Sequence, residues 1–173
     1  MDEIDAIEST STPALSACST KITARGHDQR AAGAPLEKIM AYFVGIVLAV
    51  TVCVFCTVVR LDRDRALYPT VMIVIASYYG LFGVMGGDNH ALVLELVFAA
   101  LFVLASVFGF KGNLWLVVAA LAGHGIFDFF HHFVIANPGV PVWWPPFCLT
   151  YDVVAAGYLA WLLVTAKLAA KAS

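Results

Sequence analysis

Charge is scarce in this sequence. Only 13% of its 173 residues are Asp, Glu, Lys or Arg, while 61% are hydrophobic. Soluble domains carry about 25% charged residues. A chain this apolar cannot hide its side chains inside one soluble domain of its length. Cationic excess is missing too. The formal net charge is -2 and the pI about 6.2, which leaves no basic footprint for nucleic acid. The cysteines number four and imply no disulfide framework. Cys53 and Cys56 form a C-x-x-C inside the apolar run "AVTVCVFCTVV". The βαβ context of a thioredoxin-like motif is absent, so they read as small packing residues in a helix. No apolar run follows the acidic start within the first thirty residues, unlike a signal peptide. Asp2, Glu3, Asp5 and Glu8 disfavour a transit peptide.

What is present is a tail and a series of long apolar runs. Residues 1–36 are rich in Ser, Thr, Ala and charge and have no sustained apolar face. They read as a disordered N-terminal tail. Residues 37–173 form the membrane domain. Its apolar runs cover about 39–59, 66–87, 91–110, 114–136 and 146–166, each close to the roughly twenty residues a helix needs to cross a bilayer. Helices and closed barrels alone satisfy the backbone in lipid. A barrel needs alternating strands of about ten residues, and these runs are continuous. The fold class is therefore all-α: five transmembrane helices. "RLDRDR", "GDNH", "KGN" and "NPGVPVWWPP" are the polar or Pro-rich connections. Trp143 and Trp144 suit an interfacial belt. Pro145 and Pro146 suit a helix start. Gly83 and Gly87, four apart, permit close helix approach.

Five spans put the termini on opposite sides. Arg60, Arg63, Arg65, Lys111, Lys167 and Lys171 fall on one face. The two loops of the other face carry no Lys or Arg, and only the N-terminal tail adds any there, nearest Lys38 and Arg30. The positive-inside rule then places the C-terminus in the cytoplasm and the N-terminus outside.

The fourth run contains "HGIFDFFHHF". At about 100° per residue, Asp128 lies about 40° from His124, His131 about 20° the other way and His132 about 80° away, one stripe about 100° wide. Glu95 lies near the start of the third run, and Asp152 near the start of the fifth. At about 1.5 Å per residue, Glu95, Asp128, His131, His132 and Asp152 sit at similar depth, within about 6–12 Å of the face that carries "GDNH" and "NPGVPVWWPP". His124 lies deeper, about 18 Å from that end. Asp88 shares the helical face of Glu95, and His90 does not. An Asp near the bilayer centre costs about 3 kcal/mol, so these carboxylates are expected to face the bundle interior.

The layer supports three readings. In the first, His124, Asp128, His131 and His132 are metal ligands, with Glu95 and Asp152 as further ligands or a catalytic general base. Such donors suit Zn, Fe or Mn. A bound metal would activate water or handle oxygen against a lipid or apolar substrate. In the second, His–carboxylate pairs fix helix register, as membrane polar pairs do. In the third, they relay protons. Five spans are few for transport and would call for a homo-oligomer, and no internal repeat of the transporter kind is visible. Metal chemistry needs three or four side chains about 2.0–2.2 Å from one point, whereas a relay or register network needs only pairs near about 3 Å. Tyr78 and Tyr79 are candidate donors into the layer, and Cys148 a candidate soft ligand.

"DFFHH" resembles the H-x-x-H-H box of membrane fatty-acid desaturases and hydroxylases, with Asp128 in place of the first His. That resemblance implies iron and oxygen chemistry. The intramembrane His/Asp set is similar in kind to that of ceramidase-like membrane hydrolases, which implies zinc. The stretch from Gly123 to Ala160 resembles the signature region of small multi-pass membrane proteins with no assigned activity.

Overall fold

The computed structural model describes residues 13–63 and 65–168, with side chains from Pro35 onward. The described residues form five helices: α1 Pro13–Val58, α2 Leu67–Gly86, α3 Asn89–Lys111, α4 Trp115–Val134 and α5 Trp144–Val164. The chain divides into a unit to Leu36, of which helical backbone from Pro13 is described, and a unit Glu37–Ser173 that holds the bundle. Of the expected disordered tail, 1–12 lie outside the described residues, while 13–36 are helical backbone, with side chains described only from Pro35. Each helix is long and apolar enough to span a membrane, α1 through its Pro35–Val58 part. The protein is a multi-pass membrane bundle.

Helix ends follow local chemistry. Gly87 closes α2 in the left-handed region, with φ 72° and its N–H on the Val84 carbonyl. Asp88 then caps α3, its side chain accepting from the His90 N–H at 2.9 Å. Asn113 accepts from the Trp115 N–H at 3.0 Å and starts α4. The run expected to extend to 136 stops at Val134, and Ile135 is already extended. Pro138 disfavours helix at Asn137, and 135–137 form the non-helical exit. α5 begins at Trp144, two residues earlier than expected, because Pro145 and Pro146 are tolerated in a first turn, where N–H groups lack helical partners anyway.

α2 packs with α3, α4 with α5, and α3 and α2 both meet α4. Gly83 lets α2 approach α3 closely: a Cβ there would lie 3.0 Å from the Leu92 Cα. Gly87 does not share this role, since it is the cap and a Cβ on it would meet nothing. α1 joins through α5, where Thr150 donates to the Tyr42 carbonyl at 3.1 Å and Gly45 fits against Thr150 and Phe147. Arg65 reaches the carbonyls of Phe110 and Gly112 at 3.2 and 3.4 Å, so the α1–α2 and α3–α4 connections share one end. Gly139 packs on Gly86 and Phe82, so the α4–α5 loop covers the α2–α3 turn at the other end. "RLDRDR" is not wholly solvent-facing. Asp62 is buried and accepts from Thr57 at 2.6 Å, and the Thr57 hydroxyl lies 3.0 Å from that of Tyr158.

Candidate functional site

The site grows from one stripe. On α4 and its N-cap the buried positions include Leu114, Val117, Leu121, His124, Asp128 and His131, spaced alternately three and four apart. That spacing is the seam of a helix packed on a neighbour. The first three are apolar and the last three polar. On α5 the buried seam includes Cys148, Asp152, Ala155, Leu159 and Leu162. α5 runs the other way, so its polar end meets the polar end of α4. Gly125 permits the approach: a Cβ there would lie 3.1 Å from the Asp152 Cβ and the Leu149 carbonyl oxygen.

Hydrogen bonds tie the layer together in pairs. His124 Nδ1 lies 2.7 Å from Asp152 Oδ2. Tyr79 on α2 donates its hydroxyl to Asp128 Oδ1 at 2.6 Å. His131 Nε2 lies 2.9 Å from Glu95 Oε1 on α3. Asn137, just past α4, donates its amide to the same Glu95 oxygen at 2.7 Å. Four helices therefore contribute. Glu95 and Asp152 are 0% exposed, and His124, Asp128 and His131 at most 3%. The Tyr79 ring centroid lies 5.0 Å from that of His124 and 5.9 Å from that of His131. Phe102 packs edge-on against His124, and Phe127 against His131. Cys148 is buried beside Asp128.

Each pair leaves something over. Among the described residues, Glu95 Oε2, His124 Nε2, Asp128 Oδ2 and Asp152 Oδ1 are buried without a hydrogen-bond partner. Three carboxylates and two imidazoles share the layer. With both imidazoles protonated the formal charge is still -1, so one further proton or cation balances it. Buried polar atoms left without partners cost about 1–3 kcal/mol each, so these four call for partners of their own, such as water, a proton or an ion.

The expected residues divide. Glu95, His124, Asp128, His131 and Asp152 come together. His132 does not: it is exposed and its ring lies 3.8 Å from that of Phe133, centroid to centroid. Its position about 100° around the helix from His131 turns it off the seam. His124, expected deeper than the rest, joins the layer because Asp152 reaches it. Asp88 is a cap and stays outside. Tyr79 and Asn137 belong to the layer. By sequence Tyr78 and Tyr79 are equivalent, and helical position separates them: Tyr79 is buried and Tyr78 36% exposed. Asn137 reads as a turn residue and serves a second role, accepting from the Gly139 N–H at 2.9 Å while its amide holds Glu95. Among the described residues, no three His, Cys, Asp or Glu side chains are arranged to hold one metal ion. Cys53, Cys56 and Cys148 are buried free thiols, and Cys18 lies outside the residues whose side chains are described. No protein-family model matches the chain, and no curated protein or solved structure is significantly similar to it.

Proposed function

We propose that this membrane protein takes up and releases protons at the buried His/carboxylate layer, and acts as a proton-coupled membrane protein without covalent catalysis. The carrying observation is the geometry of the pairs. They sit at hydrogen-bond distance, 2.6 to 2.9 Å, while every carboxylate keeps a second buried oxygen without a partner. Helix register needs polar groups that are fully satisfied, since a half-satisfied network is worse than an apolar core. Proton exchange needs groups that gain and lose partners. Asp, Glu and His chains inside a bundle are the usual relay. His124 and His131 would carry protons on the nitrogens that face Asp152 and Glu95, and Tyr79 would hold Asp128 in place. The layer lies toward the Pro- and Trp-rich loop. The basic loops and the α3 end, Arg60, Arg63, Arg65 and Lys111, lie at the other end, so the proposed orientation puts the layer near the extracytoplasmic face and the C-terminus in the cytoplasm.

A second reading keeps metal-dependent chemistry on a lipid or apolar substrate. Its support is the donor types buried in the layer, imidazole and carboxylate, which suit Zn or Fe. It requires the side chains to leave their present pairs and converge.

Infrared difference spectroscopy across a pH titration, on protein in liposomes, tests the first reading. A protonated-carboxyl band should appear and titrate reversibly, and part of it should vanish in Asp128→Asn and in Asp152→Asn. No titrating carboxyl band in wild type would overturn it. Near-stoichiometric Zn or Fe that is lost in His124→Ala would replace it with the second reading.

A further inference from the structure

At the end of α4, next to the layer, lies a cavity of about 320 Å³. Its polar lining is Lys38, Tyr42, His131, His132 and Asn137. Among the described residues, no Asp or Glu lines it. Glu37, the neighbour of Lys38, lines a different cavity with Trp143 and Phe147. Glu95 stands behind the wall, held by His131 and Asn137. The lining thus carries one fixed cation and the imidazole of His132, which offers an N–H donor in either protonation state, while the N–H of a neutral His131 is committed to Glu95. The rest is apolar or proline, with Pro141, Pro145 and Pro146 among it. Such walls are stiff, because proline fixes its backbone angle.

Position sharpens the chemistry. The cavity lies among the last turn of α4, the first turn of α5 and the start of the apolar part of α1. That is the interfacial level, where lipid headgroups lie and aromatic belts form. Phe130, Phe133, Val134, Val142 and Trp143 around it are 40% exposed or more. Between membrane helices at this level, a lysine and an imidazole N–H suit an anionic group, because charge-assisted hydrogen bonds are the strong ones.

We propose that this cavity binds a phosphate- or carboxylate-bearing anion, with Lys38 supplying charge and His132 a hydrogen bond. An occupant would touch His131, whose Nε2 is committed to Glu95, and would stand one imidazole away from the buried layer. The proposal does not rest on the proton reading, since Lys38 and His132 take no part in the layer.

The test uses the full chain in nanodiscs. Quenching of tryptophan fluorescence by brominated phosphatidylglycerol is compared with quenching by brominated phosphatidylcholine, and inorganic phosphate is titrated separately in detergent. Preference for phosphatidylglycerol identifies a lipid headgroup. Saturable binding of phosphate without lipid preference identifies a soluble anion. In either case Lys38→Gln and His132→Gln should each weaken binding about tenfold, and Lys111→Gln at the opposite end should not. Absence of both preferences overturns the proposal. So does binding that is unchanged in Lys38→Gln and His132→Gln. The carboxyl titration of the layer should survive both substitutions, which separates failure here from failure of the proton reading.

Discussion

The two halves of this bundle use the same seams for opposite chemistry. Toward the α1–α2 and α3–α4 connections, the seams hold Met72, Leu114, Val117, Leu121, Leu159 and Leu162, all at most 2% exposed. Toward the α2–α3 and α4–α5 connections, they hold Tyr79, Glu95, His124, Asp128, His131 and Asp152, all at most 3% exposed. Burial does not distinguish the halves. What differs is the chemistry buried: among the described residues the first half leaves two isolated hydroxyls without partners, those of Tyr68 and Ser106, and the second leaves four atoms of ionisable groups. The apolar half needs only contact, and contact is non-directional. The polar half needs directional pairs, and it leaves four atoms without them. A membrane helix bundle gains little from helix–helix hydrophobicity, because lipid is as apolar as its own side chains. Packing therefore holds one half, and directional pairs between helices add to it in the other.

Moving a carboxylate from one half to the other should give the largest effect. Leu159→Asp places an acid two turns along α5 from Asp152, where its neighbours are apolar. The expected cost is about 3 kcal/mol or more, the insertion penalty of an unpaired charge. It would be read as a lower unfolding midpoint on titration with denaturing detergent. A Leu159→Asp protein as stable as wild type would mean that the apolar half is wet, and the contrast would fail.

Next come the pairs. Removing one partner of a buried ion pair costs about 3–5 kcal/mol, and replacing both with apolar residues is often neutral. In the same assay, His131→Leu should fall in the lower part of that range, because Asn137 still holds Glu95, and Glu95→Leu in the upper part, because it strips both His131 and Asn137 of their acceptor. The double variant should return to within about 2 kcal/mol of wild type, the remainder being the Asn137 amide left without its acceptor. That outcome would show that the pair is not needed for the fold, so that its retention points to exchange. A double variant worse than either single would assign the pair to structure.

The loop that closes the polar half is tested more gently. Gly139→Ala would drive a methyl into the Phe82 carbonyl and the Gly86 backbone. Overpacking of this kind costs about 1–3 kcal/mol. It should also displace Asn137 from Glu95 and perturb the carboxyl titration of the polar half alone. Gly123→Ala, where a methyl meets nothing, should do neither.

Much of this contrast is legible in the sequence. The five spans follow from length and charge, because lipid imposes both directly. The polar stripe of α4 follows from period, which is why His124, Asp128 and His131 share a seam as expected. Depth counting brings Glu95 and Asp152 to the same level. Partners are less legible. Three residues near one depth can bond in many ways, and nothing in spacing says that His124 takes Asp152 while His131 takes Glu95. Tyr79 depends on which of two adjacent tyrosines faces inward, a matter of about 100° of helix rotation that an apolar helix does not encode. Asn137 lies in a Pro-rich loop, where turn chemistry masks its second role. His132 falls among the expected ligands because an edge about 80° from the reference is still inside a generous stripe. Packing is stricter than a stripe.

His132 supplies the smallest effect and the cleanest control. It neighbours His131 in sequence and shares its helix and depth, yet it is exposed and bonds to nothing in the layer among the described residues. In detergent without anionic lipid, His132→Ala should change stability by no more than about 0.5 kcal/mol, the usual range for an exposed substitution. The carboxyl titration should keep its wild-type form. His131→Ala should move both measurements, because it strips Glu95 of a partner that sits 2.9 Å away. Two histidines one residue apart thus test whether pairing, rather than histidine content or depth, makes the layer work. If His132→Ala altered the titration as His131→Ala does, the layer would have to extend beyond the seam, and the boundary between the two chemistries would run around α4 as well as along it.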